Sequence, residues 1–278
     1  MRAVSLPKTN DPMPAGKKLP ISVCLISGSE AHRIRRTLAS VVEWVAEIIV
    51  VLNEEVSDGT DRIAAEFGAL VFREPWKGYA AQKNSAAQKA GQAWILSLDA
   101  DEEISSALRE EICVLFATGG PDPSIAGWSF PRCSFYGGRW IRHGDWYPDR
   151  KTRLWRRGSS EWQGQNVHEA LIVTGKTEKF NGDLLHYTME DINDHLRKSM
   201  LYSDLFARQW AVAGRDASLL DLWFRPWWRF VRGYFLRCGF LDGWQGFVIA
   251  RMVAFDTFFR YAKLREAKIN KAELSIKP

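Results

Sequence analysis

Apolar and polar positions follow two alternating periods along the first hundred residues. Four short runs are apolar almost throughout: Ile21–Ser27, Ile48–Leu52, Ala69–Phe72 and Ala93–Leu98. Runs of that length predict strands buried on both faces. Between the first two, Ile34, Leu38, Val41, Val42 and Val45 recur at helical spacing and make a stripe that suits packing on a sheet. Between the second and third, Ser57-Asp58-Gly59-Thr60-Asp61 supplies capping residues and Gly68 a stop. Between the third and fourth, Ala81 to Ala90 is rich in good helix formers. Short buried strands joined by helices predict a parallel, right-handed α/β sheet. Such sheets bind ligands beyond the carboxyl ends of their strands, so the residues just after each run are the informative ones.

The pattern then changes. Residues 104–117 predict a helix and Ile125–Arg132 a strand. From Cys133 to Thr188 the periodicity is irregular, as loops and short strands would make it. His186 to Gly214 predicts a helix, and the tail from Leu219 is helical and aromatic. Within the tail, Gln245, Asp256, Arg260 and Lys263 share one helical face, while most of the remainder is apolar. A helix that apolar must be buried or lie in an interface.

Charge sharpens this division. Of the 278 residues, 38 are Lys or Arg and 33 Asp or Glu, a formal net charge of +5. Residues 223–278 hold eleven of the basic and four of the acidic ones, so all the surplus lies in the last fifth. There, Arg225-Pro226-Trp227-Trp228-Arg229-Phe230-Val231-Arg232 alternates rings with arginines, which suits an anionic membrane surface. Packing on the rest of the chain or on a second copy is the alternative. Thirteen tryptophans fit sites where a ring is half wet, at sugars or membrane interfaces. Cys24, Cys113, Cys133 and Cys238 form no CxxC pair, which fits a reducing compartment. No stretch of about 18 uncharged apolar residues is present, so no spanning helix is expected.

The chemistry concentrates at Leu98-Asp99-Ala100-Asp101-Glu102, after the fourth run. Carboxylates at i and i+2 beyond a buried strand can reach the ligand edge together. One can hold a hard divalent ion, the other a ribose or a metal-bound water. Alone, the pair also suits an acidic turn; its position favours the ligand reading.

Residues 20–117 resemble family 2 glycosyltransferases. The resemblance is carried by Ile21-Ser22-Val23-Cys24-Leu25-Ile26, Ile48-Ile49-Val50-Val51, Ser57-Asp58-Gly59-Thr60, Gln82-Lys83-Asn84 and Asp99-Ala100-Asp101, in order and spacing. Further pieces resemble the lipopolysaccharide core glucosyltransferase branch: Trp76-Lys77-Gly78, Tyr147-Pro148-Asp149, Arg153-Leu154-Trp155-Arg156-Arg157, Val167-His168-Glu169 and Gly239-Phe240-Leu241-Asp242-Gly243. The resemblance implies a GT-A fold, Rossmann-like, with a mostly parallel sheet flanked by helices and a helical, amphipathic C-terminal region. The implied division is a flexible leader (1–19), a catalytic domain (20–188; nucleotide-sugar half 20–117, acceptor half 118–188) and a membrane-associating region (189–278). It implies a UDP-sugar donor and a divalent metal, Mg2+ or Mn2+, held by Asp101 with Asp99. Donor binding is expected at Ser27, Glu30, Asn53, Lys83, Asn84, Asp99 and Asp101. Asn53 stands where the family usually has an aspartate, and Ser29 where it has an asparagine.

Inversion at the sugar needs a carboxylate to take the acceptor's proton. Glu169 is the first candidate, with Asp149 and Asp145 as rivals and a loop salt bridge as the alternative role. Arg153, Arg156 and His168 are expected to meet the acceptor. They belong to a basic, aromatic stretch suited to an anionic saccharide through stacking rings and forked guanidinium groups. His143 and His186 read as structural or acceptor-lining. The expected reaction is transfer of a sugar, glucose from UDP-glucose by resemblance, onto the inner core of lipopolysaccharide or lipooligosaccharide. Its expected place is the cytoplasmic face of a bacterial membrane, on a lipid-linked acceptor. Transfer to a polyprenyl phosphate, which needs no base, and an inactive membrane scaffold are the alternatives. No nucleic-acid module is recognisable, so no nucleic-acid partner is expected.

Overall fold

The structure is a computed structural model that describes residues 18–164 and 169–276, with side chains as far as Ile269. The expected leader lies almost wholly outside the described residues. The chain divides into two compact units, Met1–Phe130 with Lys151–Leu184, and Pro131–Arg150 with Leu185–Pro278. Residues 131–150, assigned from sequence to the acceptor half, group with the C-terminal helices.

The first unit begins with the alternation read from the sequence. Strand β1 (Leu19–Ser27) leads through helix α1 (Ile34–Ala39) to β2 (Val45–Asn53), α2 (Thr60–Glu66), β3 (Leu70–Glu74), α3 (Tyr79–Gln88) and β4 (Trp94–Asp99). β1 pairs in parallel with β2 and with β4, and β2 with β3. The parallel core of the sheet is therefore as expected. Successive residues of a strand point to opposite faces, and β1 feeds two separate cores. Ile21, Val23 and Leu25 pack with Ile34, Leu38 and Val41. Cys24 packs with Ile49, Val51 and Ile95 on the other side. Burying each such aliphatic side chain contributes about 1.5–3 kcal/mol.

Beyond β4 come β5 (Glu102–Ile104), α4 (Ser106–Ala117), β6 (Ile125–Tyr136), β7 (Arg139–Ile141), β8 (Asp149–Arg156), β9 (Ser160–Gln163), β10 (Ala170–Val173), β11 (Lys176–Lys179) and β12 (Leu184–His186). The strand order is β3-β2-β1-β4-β8-β6-β12-β5, with β11 beside β6; β9 and β10 form a separate antiparallel pair. β8 enters antiparallel to β4, with Trp94 opposite Arg156 and Leu96 opposite Leu154. That register decides which β8 side chains meet the end of β4. α4 starts two residues later than expected because Ser105 caps it, accepting the Leu108 amide.

In the second unit β7 pairs with the far end of β6, Ser134 opposite Ile141. Helices α5 (Ile192–Val212), α6 (Leu219–Val231) and α7 (Gly243–Ile276) follow. The helix expected from His186 starts only at Ile192, where Asp191 accepts the Asp194 amide; His186 belongs to β12. Ala207, Ala217, Tyr261 and Leu264 form one core of this unit, and Tyr136, Ile141 and Ile249 another. Among the described residues, no helix is long and apolar enough to cross a membrane.

Candidate active site

β4 ends at Asp99, and the chain turns through Ala100 and Asp101 before Glu102 opens β5. The turn is pinned at both ends. Thr37 Oγ1 donates to the Ala100 carbonyl at 2.8 Å, and the Asp99 amide donates to Glu102 Oε2 at 3.0 Å. Five charged side chains meet here. Lys83, from the inner face of α3 and only 5% exposed, lies 2.9 Å from Asp99 Oδ1 and 3.0 Å from Glu169 Oε1. Arg153 of β8, 4% exposed, reaches the other Asp99 oxygen at 2.5 Å and Glu102 Oε1 at 2.7 Å. Glu102 is fully buried. The Trp162 ring of β9 lies beside both cations, 4.5 Å from Lys83 Nζ and 5.8 Å from Arg153 Cζ. Such contacts favour cations against an aromatic face.

Three carboxylates against two cations leave one negative charge in excess. Burial alone would raise the Asp99 pKa. The Arg153 guanidinium and Lys83 ammonium outweigh it and hold the carboxyl well below the usual carboxylate range. Burial likewise works against the Arg153 charge, but Asp99 and Glu102 more than offset it and push its pKa up. Asp99, 29% exposed, is the most open member of the cluster.

The loops after β1 and β2 are tied together beside the sheet's carboxyl edge. Asp58 accepts the Thr60 amide, the Thr60 hydroxyl and the Ala31 amide, at 3.0, 2.6 and 3.1 Å. These bonds depress its pKa against the effect of burial. Thr60 Oγ1 in turn accepts the Glu30 amide at 3.1 Å. Gly59, before α2, takes φ +91°, which only glycine adopts cheaply. Ser57-Asp58-Gly59-Thr60 is therefore a staple between loops. Ser27 and Asn53 end β1 and β2, and Ser27 Oγ donates to the Gly28 carbonyl.

The structure brings together Lys83, Asp99, Arg153 and Glu169 from the expected set, and changes several roles. Arg153, expected to meet the acceptor, is a buried counter-ion of Asp99 and Glu102. Arg156 lies opposite Trp94, its guanidinium 4.6 Å from that ring, at the other end of β4 from Asp99. Five residues of strand separate the two ends by about 16 Å. Asn84 bonds the Trp162 backbone with its amide, accepting one bond and donating another, both 2.8 Å, and so pins α3 to β9. Of the rivals to Glu169, Asp149 is paired with Arg132 at 2.6 Å. Asp145, 5% exposed, is held by Arg229, Arg232 and Arg237. Both rivals belong to the second unit. His168 lies outside the described residues. Glu102 and Trp162 were not singled out from sequence. Glu102 adjoins the acidic pair, and that adjacency was the available signal.

A divalent metal would meet a changed donor set. Each Asp99 oxygen already holds a cationic side chain, so Asp99 does not fit as the shared metal ligand expected. No group of three His, Cys, Asp or Glu side chains suited to a metal occurs among the described residues. Asp101, partly exposed in the turn, fits the mode in which one carboxylate and substrate phosphates hold Mg2+.

Comparisons with known proteins bear on this arrangement. Residues 22–180 match the family model described as Glycosyl transferase family 2. The chain is 31% identical over 266 residues to the lipopolysaccharide core biosynthesis glycosyltransferase LpsC of Rhizobium meliloti, covering 93% of this chain and 97% of that protein. It is 31% identical over 264 residues to the uncharacterized glycosyltransferase RP128 of Rickettsia prowazekii, covering 90% and 88%. Among solved structures, glucosyl-3-phosphoglycerate synthase from Mycobacterium tuberculosis, in complex with Mn2+, uridine-diphosphate and glucosyl-3-phosphoglycerate, matches with a TM-score of 0.45 and 17% identity over 73% of this chain and 82% of that one.

Proposed function

The chain belongs to glycosyl transferase family 2, and on that premise we propose that it moves glucose from UDP-glucose, with inversion, onto a hydroxyl of the inner core of lipopolysaccharide or lipooligosaccharide. Its mostly parallel α/β sheet with flanking helices is the GT-A fold of that family. The observation that carries the reading is the Lys83 ammonium held between Asp99 and Glu169 at the carboxyl end of β4. One cation suited to a diphosphate and one carboxylate suited to a hydroxyl proton meet at the edge where such sheets bind ligands. The lipopolysaccharide acceptor is supported by the likeness to LpsC across nearly the whole of both chains.

In this mechanism Asp99 meets the ribose side of the nucleotide, and Ser27, Glu30 and Asn53 line the donor from the ends of β1 and β2. Lys83 draws the diphosphate into the cluster. Glu169 takes the proton from the acceptor hydroxyl as its oxygen attacks the anomeric carbon opposite the departing nucleotide. Arg153 and Glu102 position Asp99 and do not touch substrate. Mg2+ or Mn2+ at Asp101 would neutralise charge on the leaving diphosphate. The acceptor is lipid-linked, and the protein works peripherally at the cytoplasmic face of the inner membrane.

A thermal-shift series with uridine and guanosine sugars, with and without Mn2+, tests this. A ligand that binds only the folded chain raises its unfolding temperature. UDP-glucose with Mn2+ gives the largest rise, and Asp101→Ala removes the metal-dependent part. A flat response to every nucleotide sugar sinks the reading.

A further inference from the structure

Helix α6 is built inside out. At about 100° per residue, Leu220, Trp223, Phe224 and Trp227 fall on one stripe. Their exposures are 77, 81, 58 and 58%, and no residue of the helix is buried. On the opposite side Leu222 packs against the core of Ala207, Ala217, Tyr261 and Leu264. Arg229 from that side, and Arg232 from the π-helical turn Arg232–Leu236 that follows, reach the buried carboxylate of Asp145 at 3.4 and 2.7 Å. An amphipathic helix packed on a protein in water turns its apolar stripe inward and its charges outward. Here Arg229 and Arg232 reach inward to a buried carboxylate while the rings point outward.

Local bonds hold the helix in that orientation. Ser218 and Asp221 form a reciprocal capping box, and Arg225 pairs with Asp221. Arg225 also lies 5.0 Å from the Tyr261 ring. Further along the chain Phe235, Leu236, Phe240, Leu241 and Trp244 are 46–62% exposed. Exposed apolar surface of this extent marks an interaction site.

We propose that the outward face of α6 docks on an anionic lipid bilayer, with the helix lying in the plane of the interface. This deepens the proposed membrane location and rests on it, but not on the transfer chemistry. Charge selects the occupant. Residues 223–278 hold eleven basic and four acidic residues, and the three arginines that share Asp145 outnumber it and stay 36, 32 and 48% exposed, so a second copy would bring like charge to like. Anionic headgroups bring the complement, and each basic group near such a surface strengthens binding. The composition agrees. Trp223, Trp227, Trp228 and Trp244 are all exposed, and tryptophan concentrates at the membrane–water boundary. The Asp145 nest is the inner anchor that presents the stripe.

The test is flotation of the full chain with phosphatidylcholine vesicles, with and without phosphatidylglycerol, alongside its size in solution. The wild type binds the phosphatidylglycerol vesicles at least tenfold better than phosphatidylcholine alone. Leu220→Glu with Trp223→Glu lowers that binding at least tenfold. The exposed apolar control Leu70→Glu on β3 does not. Both variants keep the wild-type unfolding midpoint and its shift with UDP and Mn2+, which separates this result from any failure of the transferase reading. Equal binding by the wild type and the α6 variant overturns the role of α6 while membrane location stands. No binding by the wild type to either vesicle overturns both. Binding indifferent to phosphatidylglycerol overturns the anionic partner. A wild-type dimer that the α6 substitutions convert to monomer shows that a second copy covers the face, and overturns the proposal.

Discussion

Each compact unit buries carboxylate against cationic side chains, but the balances are opposite. In the first, Asp99, Glu102 and Glu169 outnumber Lys83 and Arg153. In the second, Asp145 alone faces Arg229, Arg232 and Arg237. Burial and the crowding of like charge by Arg232, Arg260 and Arg237 even pull the Arg229 pKa below its usual value, although Asp145 works the other way. The difference teaches what each cluster is for. The acidic one sits at a strand end with Asp99 and Glu169 partly open, so its charges can be re-partnered by a substrate. The basic one closes around a nearly inaccessible carboxylate and fixes a helix. Buried pairs of either kind are weak sources of net stability, because desolvation cancels much of the attraction. Removing one member and stranding its partner is what costs.

The sharpest way to break the comparison is at Glu169. If the acidic cluster is the reactive one, Glu169→Gln lowers the turnover number about 10²- to 10⁴-fold. The amide oxygen still accepts from Lys83, so affinity for UDP with Mn2+ is unchanged by calorimetry. Full turnover in this variant would remove the base assignment and favour a phosphate acceptor, which needs none. The next largest effect is structural. Arg153→Met removes the guanidinium that offsets the buried charges of Glu102 and Asp99, and costs about 3–5 kcal/mol of unfolding free energy. Urea denaturation measures it; a loss below about 1 kcal/mol would mean that Glu102 finds another partner.

The sequence reveals the parallel half of the fold because its signals are local. Apolar runs, the Gly68 stop and the Asp58–Thr60 cap each specify their own stretch of chain. The place of Asp99 at the end of the fourth strand follows from the same pattern. The place of Arg153 beside Asp99 is not legible in the sequence because it depends on pairing. Arg153 reaches Asp99 only because β8 lies antiparallel to β4 in the register that sets Leu96 opposite Leu154. Nothing in a basic, aromatic stretch distinguishes that arginine from Arg156, three residues on and at the wrong end of the strand. Glu102 was passed over for a related reason, since a fully buried glutamate is invisible until its guanidinium partner is placed. In α6, interleaved rings and arginines were legible. Which side faces inward was decided by Asp145, 87 positions from Arg232.

The second unit also buries a group that stays neutral, and this sharpens the contrast with ionised Asp99. His195 lies 4% exposed against Tyr136 and Trp146, with Nδ1 3.1 Å from the Tyr136 hydroxyl. Burial lowers its pKa to about 4, despite the opposing pull of Asp194. The unfolded chain, with an ordinary histidine near 6.5, therefore binds a proton that the folded chain refuses between those values. Stability from His195 is fully present above about pH 6.5 and is lost as pH falls towards 4, by at most about 3 kcal/mol. Urea midpoints across that range should show the slope in the wild type and a smaller one in His195→Gln. An unchanged slope would show that other groups carry it.

The smallest effect is expected at the centre of the basic cluster. Asp145→Asn removes the carboxylate that three guanidinium groups share, yet those groups are 36, 32 and 48% exposed. They can turn to water, so the loss is about 1–2 kcal/mol, discounted from the value for a fully buried pair. The change should be confined to the C-terminal helices. Amide exchange in α6 and the Arg232–Leu236 turn should quicken, while α3 and β4 keep wild-type protection. Turnover on a soluble acceptor should be unchanged, since Asp145 anchors the helix and the proposed base is Glu169. If Asp145→Asn instead abolishes turnover and leaves exchange in α6 alone, the two clusters have been assigned the wrong way round.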